Sequence, residues 1–156
     1  MLVRRGLAIL GLALSCASAA AARDLAVVSN KANGVQTLTL AELAKLCKGQ
    51  MNRWPNGQWA VFVMVEPGSA QMKMVLQKIL ELQADQVPTL ISTANHGRSE
   101  HPAIVLVHSD QEAVAKVQST PGAVGIVDVY SITGGVAVVK LAGKNPFEPG
   151  YPLHGN

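Results

Sequence analysis

The chain has 156 residues, of which 13 are basic, 10 are acidic and 49% are hydrophobic. The formal charge of +3 overstates the basicity of the folded part, because Arg4 and Arg5 belong to an N-terminal leader and only 11 basic residues follow it. We find no Lys/Arg cluster or aromatic stripe, which argues against nucleic acid as a partner. Cys47 is the only cysteine outside the leader, which excludes an internal disulfide.

Residues 1–22 are predicted to be a secretory signal peptide. Arg4 and Arg5 precede the short apolar run GLAILGLAL (6–14) and the small-residue stretch SCASAAAA (15–22). The apolar run is too short for a transmembrane helix. We therefore expect a periplasmic or secreted protein whose mature part has no membrane-spanning helix.

Cys16 raises the alternative of a lipid anchor, because its surroundings resemble the lipobox of bacterial lipoproteins. Ala13 occupies the position where that box usually has Leu. Simple cleavage after Ala20 or Ala22 is therefore favoured over attachment of lipid at Cys16.

The mature chain begins with a predicted strand and a well-marked helix. The valine-rich run DLAVVS (24–29) is typical of a strand buried on both faces. Thr39 and Glu42 have capping-box spacing at the start of a helix over 39–49. Four side chains of this helix are predicted to share its buried face: Leu40, Leu43, Ala44 and Cys47.

A second strand, AVFVMV (60–65), leads through the turn Glu66-Pro67-Gly68-Ser69 into another helix. The helix is predicted from an apolar stripe at i, i+3, i+4, i+7 and i+8, formed by Met72, Val75, Leu76, Ile79 and Leu80. Strand, tight turn and helix therefore follow each other directly here. Such a turn lies outside the carboxyl end of its strand, where α/β sheets bind ligands.

The second half of the chain is predicted to continue the alternation. Pro88 opens a short helix over 89–94, a loop covers 94–102, and IVLVH (104–108) is extended. Ser109 and Glu112 then form a second capping box.

Two strands, 123–129 and 135–141, close the predicted fold, and the tail over 143–156 is expected to be irregular because it is rich in Pro, Gly and Asn. We therefore place one α/β domain at 23–142, with a mainly parallel sheet flanked by helices.

In order and spacing, four segments resemble the PstS-type phosphate-binding proteins of ABC importers, and especially their short, single-lobe relatives: LTLAELAKLCKGQMNRWPNGQ (38–58), GSAQMKMVLQKIL (68–80), NHGRSEHP (95–102) and SDQEAVAKVQSTPGAVGIVDV (109–129). The resemblance implies one lobe of a type II periplasmic binding protein-like fold. It also implies an exported substrate-binding domain with phosphate or a similar oxyanion as ligand, an ABC permease as partner, no cofactor and no enzymatic activity.

In that family an Arg precedes a Ser-Gly-Thr turn, and the turn holds the anion through hydroxyl and backbone N–H groups. The resemblance places Ser69, Ala70 and Gln71 at the three turn positions, directly after Gly68. Val65 falls near the Arg position and cannot pair with an anion. This departure bears on phosphate specificity and leaves the fold unaffected.

Two interpretations of the Gly68–Gln71 segment stay open. The first N–H groups of a helix lack internal partners and carry partial positive charge, so they suit a small anion. Alternatively Ser69 is only a helix cap, and the domain is a periplasmic interaction module that contacts a partner protein through the loops at 50–58 and 94–102.

No motif predicts a metal site or a catalytic group. His96, Arg98 and His101 share a loop, but no partner carboxylate accompanies them on a defined helix. The stretch around Ser69 reads Pro-Gly-Ser-Ala-Gln, which is not the nucleophile elbow of a hydrolase.

Overall fold

The structure is a computed structural model that describes residues 23–155, so the predictions for the leader 1–22 and for Cys16 lie outside the described residues. Six strands are present in this part of the chain: β1 (Leu25–Ser29), β2 (Thr37–Leu38), β3 (Val61–Val65), β4 (Ile104–Val107), β5 (Ala123–Asp128) and β6 (Ala137–Leu141). Four α-helices accompany them: α1 (Leu40–Cys47), α2 (Ala70–Val75), α3 (Val87–Ala94) and α4 (Asp110–Ser119).

The strands form one sheet in the order β2-β6-β1-β5-β3-β4. Strand β3 pairs in parallel with both β4 and β5, and β2 pairs in parallel with β6. Strand β1 is antiparallel to both of its neighbours, β5 and β6. Five strands therefore share one direction, which confirms the predicted mainly parallel sheet flanked by helices.

The core lies on both faces of this sheet, as the unbroken apolar strands predict. Along β3, Phe62 and Met64 point into the larger cluster beneath α1, α2 and α3. The alternate residues Val61, Val63 and Val65 point into a smaller cluster beneath α4. All five residues of β3 are buried, so this strand can carry function only at its ends.

Helix α1 begins with the predicted capping box. The Thr39 hydroxyl accepts from Glu42 N at 3.1 Å, and the Glu42 carboxylate accepts from Thr39 N at 2.8 Å. Leu40 is 42% exposed, so its predicted place on the buried face is wrong. Side chains tilt toward the N-terminus of a helix, so one on the first residue of the helix points beyond the helix end; Leu46 is buried instead.

The helix after the Gly-Ser turn is confirmed, with a change of pitch. Helix α2 continues directly as a π-helical turn over Leu76–Leu80 and ends at Glu81, which has the left-handed φ of 54°. All five residues of the predicted stripe are buried.

Within residues 23–155, no helix combines the length and the hydropathy that a membrane crossing requires.

Residues 143–155 contain no helix or strand, yet they pack against the sheet. Tyr151 and Leu153 are buried in the larger cluster, and Leu25 N donates to Leu153 O at 3.0 Å. The carboxylate of Asp24 accepts from Gly155 N at 2.9 Å. These contacts tie the tail to the start of β1; the domain boundary at 142 stays a prediction.

Candidate functional site

The Glu66-to-Ser69 turn lies at the edge where the parallel strands have their carboxyl ends, as predicted. Strand β3 ends at Val65, and its neighbours β4 and β5 end beside it, at Val107 and Asp128. Helices α2 and α4 begin at this same edge. The edge therefore collects two helix N-termini and the residues that follow three adjacent strands.

Ser69 is the N-cap of α2. Its backbone is extended, with φ −70° and ψ 152°, and its Oγ accepts from Met72 N at 3.1 Å. Ser69 N donates to Glu66 O at 3.1 Å and so closes the turn. Both groups are therefore engaged in local structure, which is the role of a cap.

The amides next to Ser69 are different. Among residues 23–155, the N–H groups of Gly68, Ala70 and Gln71 meet no hydrogen-bond acceptor. Gly68 and Ala70 are exposed, and a Cβ added at Gly68 would meet nothing within 4 Å. Three donors at the start of the helix therefore have no acceptor among the described residues, and two of them belong to exposed residues.

The Gln71 side chain is bound to a carboxylate on the neighbouring helix. Gln71 Nε2 donates to Asp110 Oδ2 at 2.8 Å, and the same oxygen accepts from Asp128 N at 3.1 Å. Asp110 is buried, and its Oδ1 has no hydrogen-bond partner among the described residues. One carboxylate therefore links α2, α4 and the end of β5, and only the backbone of Gln71 is left for a ligand.

Two further carboxylates at this edge are matched by cations. Glu66 Oε1 lies 2.5 Å from His108 Nδ1, and Asp128 Oδ2 lies 3.5 Å from the Arg23 guanidinium. The hydrogen bond with Glu66 and the negative charge of Glu66 raise the pKa of His108 above its usual 6.5, with a smaller contribution from Glu112. When the imidazole is protonated, it offsets the charge of Glu66, which would otherwise repel an anion.

Among residues 23–155, none supplies the Arg that the resemblance to PstS-type proteins would place before this turn. Val65 occupies that part of the sequence as a buried strand residue, only 4% exposed. Arg23 and His108 reach the edge, but each already faces a carboxylate. An anion here would be held by backbone donors alone, without the bidentate contact that makes anion binding tight.

Three residues of this site were not predicted from the sequence: Arg23, His108 and Asp110. Asp110 directly follows the Ser109 cap, so its position at a helix N-terminus could be predicted from the sequence. Its contact with Gln71 depends on β4 lying beside β3, which no local pattern encodes.

The remaining candidates are placed elsewhere. His101 stacks on Trp59 at the amino ends of the strands, with ring centroids 4.8 Å apart. Within the described part of the chain, no three His, Cys, Asp or Glu side chains converge as a metal site would require. The Cys47 thiol is fully buried, and burial raises its pKa.

The model of the PBP superfamily domain matches residues 17–147 of this chain. No curated protein matches this chain. Among solved structures, an ABC-type phosphate transport receptor from Vibrio cholerae aligns with a TM-score of 0.61 at 22% identity, over 79% of this chain and 48% of that one. PstS from Borrelia burgdorferi aligns with a TM-score of 0.65 at 16% identity, over 85% and 55% of the two chains.

A third similar structure is a substrate-binding protein assigned to a phosphate ABC transporter of Clostridium perfringens, solved with bound phosphate. It aligns with a TM-score of 0.61 at 18% identity, over 77% of this chain and 45% of that one. The chain thus spans about half the length of these relatives and has the fold of one lobe. The family model covers most of the chain, and the chain therefore belongs to the PBP superfamily domain family.

Proposed function

We propose that the domain binds phosphate or a similar oxyanion at Gly68–Gln71, where α2 begins. The observation that carries the proposal is the set of three N–H groups, on Gly68, Ala70 and Gln71, that have no hydrogen-bond acceptor among the described residues. Backbone donors at a helix N-terminus are a recurrent anion site because the helix dipole adds positive potential there. Ser69 positions these donors by holding the first turn of the helix.

The relatives support the choice of ligand. The Clostridium perfringens protein contains bound phosphate, and the Vibrio cholerae protein is a phosphate transport receptor. By analogy, this domain is exported to the periplasm and delivers an oxyanion to an ABC permease. It has no catalytic role and needs no cofactor.

The site predicts weak binding. The turn lacks an Arg, and the carboxylates of Glu66, Asp110, Glu112 and Asp128 lie along the same edge. Exposed backbone donors without a charged clamp suggest a Kd of about 1 mM or weaker, which is about −4 kcal/mol.

Titration of 15N-labelled protein with phosphate tests the proposal. We expect the amide signals of residues 68–71 to shift in a saturable way, with a midpoint in the millimolar range. Chloride at matched ionic strength is the control, since screening alone acts on all exposed charges. Shifts that are equal in chloride, or that spare these residues while other sites respond, would contradict the proposal.

The alternative function is contact with a partner protein through the loops at 50–58 and 94–102. One observation favours it: Trp59, next to the first loop, stacks on His101 in the second. These loops precede β3 and β4 and so lie at the opposite end of the sheet from Ser69. This alternative would be favoured if the amide signals of 68–71 did not shift with any oxyanion while the protein formed a stable complex with a partner protein.

A further inference from the structure

At the amino ends of β3, β4 and β5 a group of side chains surrounds Trp59. We call it the Trp59 cluster and define it by Arg53, Gln58, Trp59, Arg98, His101 and Lys116. The Arg53 guanidinium lies 3.7 Å from the centre of the Trp59 ring, and the His101 ring stacks within 16° of parallel at 4.8 Å. The indole is therefore already in contact with a guanidinium and with a second ring.

The loops that carry the cluster are held in place by hydrogen bonds. Arg53 Nη1 donates to Gly57 O at 2.7 Å, and Arg98 Nη2 donates to the Asn52 side chain. Asn95 Oδ1 accepts from Ala103 N and Ile104 N at 2.8 and 3.0 Å, which anchors both ends of the second loop. A surface held in this way loses little conformational entropy on binding.

Two adjoining pockets open beside the stack, with volumes of about 380 and 220 Å³, and Trp59, Glu100 and His101 line both. Lys116 lines the larger pocket and Arg98 the smaller one. The pockets are thus bounded by an aromatic wall and by cations. Glu100 is the single carboxylate that lines them.

The cations of the cluster are not neutralised. In the part of the chain that the structure describes, Arg53, Arg98 and Lys116 form no ion pair with a carboxylate. These cations are therefore available to the carboxylates of another molecule.

We propose that the Trp59 cluster is a docking surface for an acidic segment of a partner protein; the proposal gives a chemistry to the loop contact named above as the alternative function and does not depend on the oxyanion site. Carboxylates complement the three cations, none of which forms an ion pair in the described part of the chain. Trp and Arg are the residues that most often dominate protein interfaces. Single-stranded nucleic acid fits less well, because base stacking needs a free aromatic face and the Trp59 ring already contacts the Arg53 guanidinium and the His101 ring.

A blocked hexaglutamate peptide is the probe, and hexaglutamine is its neutral counterpart. In 15N-labelled protein we expect hexaglutamate to shift the Trp59 indole N–H and the amides of 97–102, and hexaglutamine to shift neither. The double variant Arg98→Gln/Lys116→Gln should bind hexaglutamate about fivefold more weakly or worse. The double variant Lys45→Gln/Lys140→Gln has the same net charge and should bind like the wild type.

Equal weakening in both double variants would overturn the proposal, because it would reduce the effect to net charge. Tighter binding of an oligonucleotide at the same residues would overturn it in favour of nucleic acid. Shifts of the cluster on raising the protein concentration alone would indicate a second copy instead. If Arg98→Gln/Lys116→Gln does not fold, Arg53→Gln is the replacement variant and should also bind hexaglutamate more weakly than the wild type.

The amide signals of 68–71 in the same spectra report separately on the oxyanion site.

Discussion

Gly122 links three segments through its backbone. Its N–H donates to Asn33 Oδ1 at 2.6 Å, and its carbonyl accepts from Trp54 Nε1 at 2.8 Å and from Val61 N at 3.1 Å. Its φ of +91° favours glycine, and a Cβ would lie 1.9 Å from Trp59 O. The residue thus has neither the backbone conformation nor the space for a side chain.

We expect Gly122→Ala to lower the free energy of unfolding by about 3 kcal/mol or more, because the clash is with backbone and adds to the conformational strain. The matched control is Gly34→Ala, where φ is +66° but nothing lies within 4 Å of the added Cβ. That change should cost about 1 kcal/mol. Urea denaturation measures both, and equal losses would contradict the assignment of a clash at Gly122.

The pair of His108 and Glu66 makes a second prediction at the scale of residues. The pKa of His108 is raised above 6.5, chiefly by its hydrogen bond with Glu66. The stabilising contribution is therefore complete below pH 6.5 and is lost as pH rises through the folded-state pKa. Since the protonated imidazole also offsets Glu66, sulfate should bind more weakly above that pKa than below it.

An NMR titration of the His108 ring measures this directly. Glu66→Gln should return the midpoint toward 6.5, whereas Glu112→Gln, which removes a smaller contribution, should lower it less. A wild-type midpoint at or below 6.5 would refute the pairing. Sulfate is the suitable anion because, unlike phosphate, it does not titrate in this range.

At the scale of elements, local chemistry was enough to place most helices and strands. The capping box of Thr39 and Glu42 formed as predicted, since its partners are three residues apart. At α4 only half of the second box formed: Ser109 Oγ accepts from Glu112 N at 3.1 Å, but the Glu112 carboxylate accepts from His108 N instead. The Glu112 carboxylate binds the N–H of the residue before the cap, and the spacing of Ser109 and Glu112 does not distinguish this contact from a capping box.

Features that depend on distant neighbours were not predictable from the sequence. An apolar stripe at helical spacing fits an α-helix, and the π-helical turn at Leu76–Leu80 departs from it only slightly in register. The antiparallel direction of β1 is set by its pairing with β5 and β6, about one hundred residues away. The contact of Gln71 with Asp110 also depends on the pairing of strands that are distant in sequence. About half of the candidate site could therefore not be predicted from the sequence.

Helix α2 offers a substitution that removes one anion donor without disturbing the fold. Ala70 is the first residue of the helix, where proline is favoured, and Ser69 already has the extended backbone that a following proline requires. We expect Ala70→Pro to leave the free energy of unfolding within about 0.5 kcal/mol of wild type while it weakens phosphate binding.

The matched control is Leu40→Pro, at the first position of α1 after the extended Thr39. It removes an equivalent amide and should leave phosphate binding unchanged. If Ala70→Pro folds normally and binds phosphate as the wild type does, the amide of residue 70 is not a ligand. Thermal denaturation and the 15N titration together provide both readouts.

At the scale of the whole molecule, the two ends of the sheet differ in chemistry. The carboxyl ends of the strands carry free helix amides among carboxylates that are paired with Arg23, His108 and Gln71. The amino ends carry the Trp59 cluster, with cations that have no carboxylate partner in the described part of the chain. We therefore propose a different ligand for each end, a small oxyanion at the carboxyl ends and an acidic peptide at the amino ends.

The most direct test of oxyanion binding is a crystal structure of the protein grown in phosphate and compared with one grown in its absence. We expect tetrahedral density within hydrogen-bond distance of Ala70 N and Gln71 N, present only with phosphate. An open turn without density at saturating phosphate, or these amides engaged by other protein groups, would contradict the proposed site.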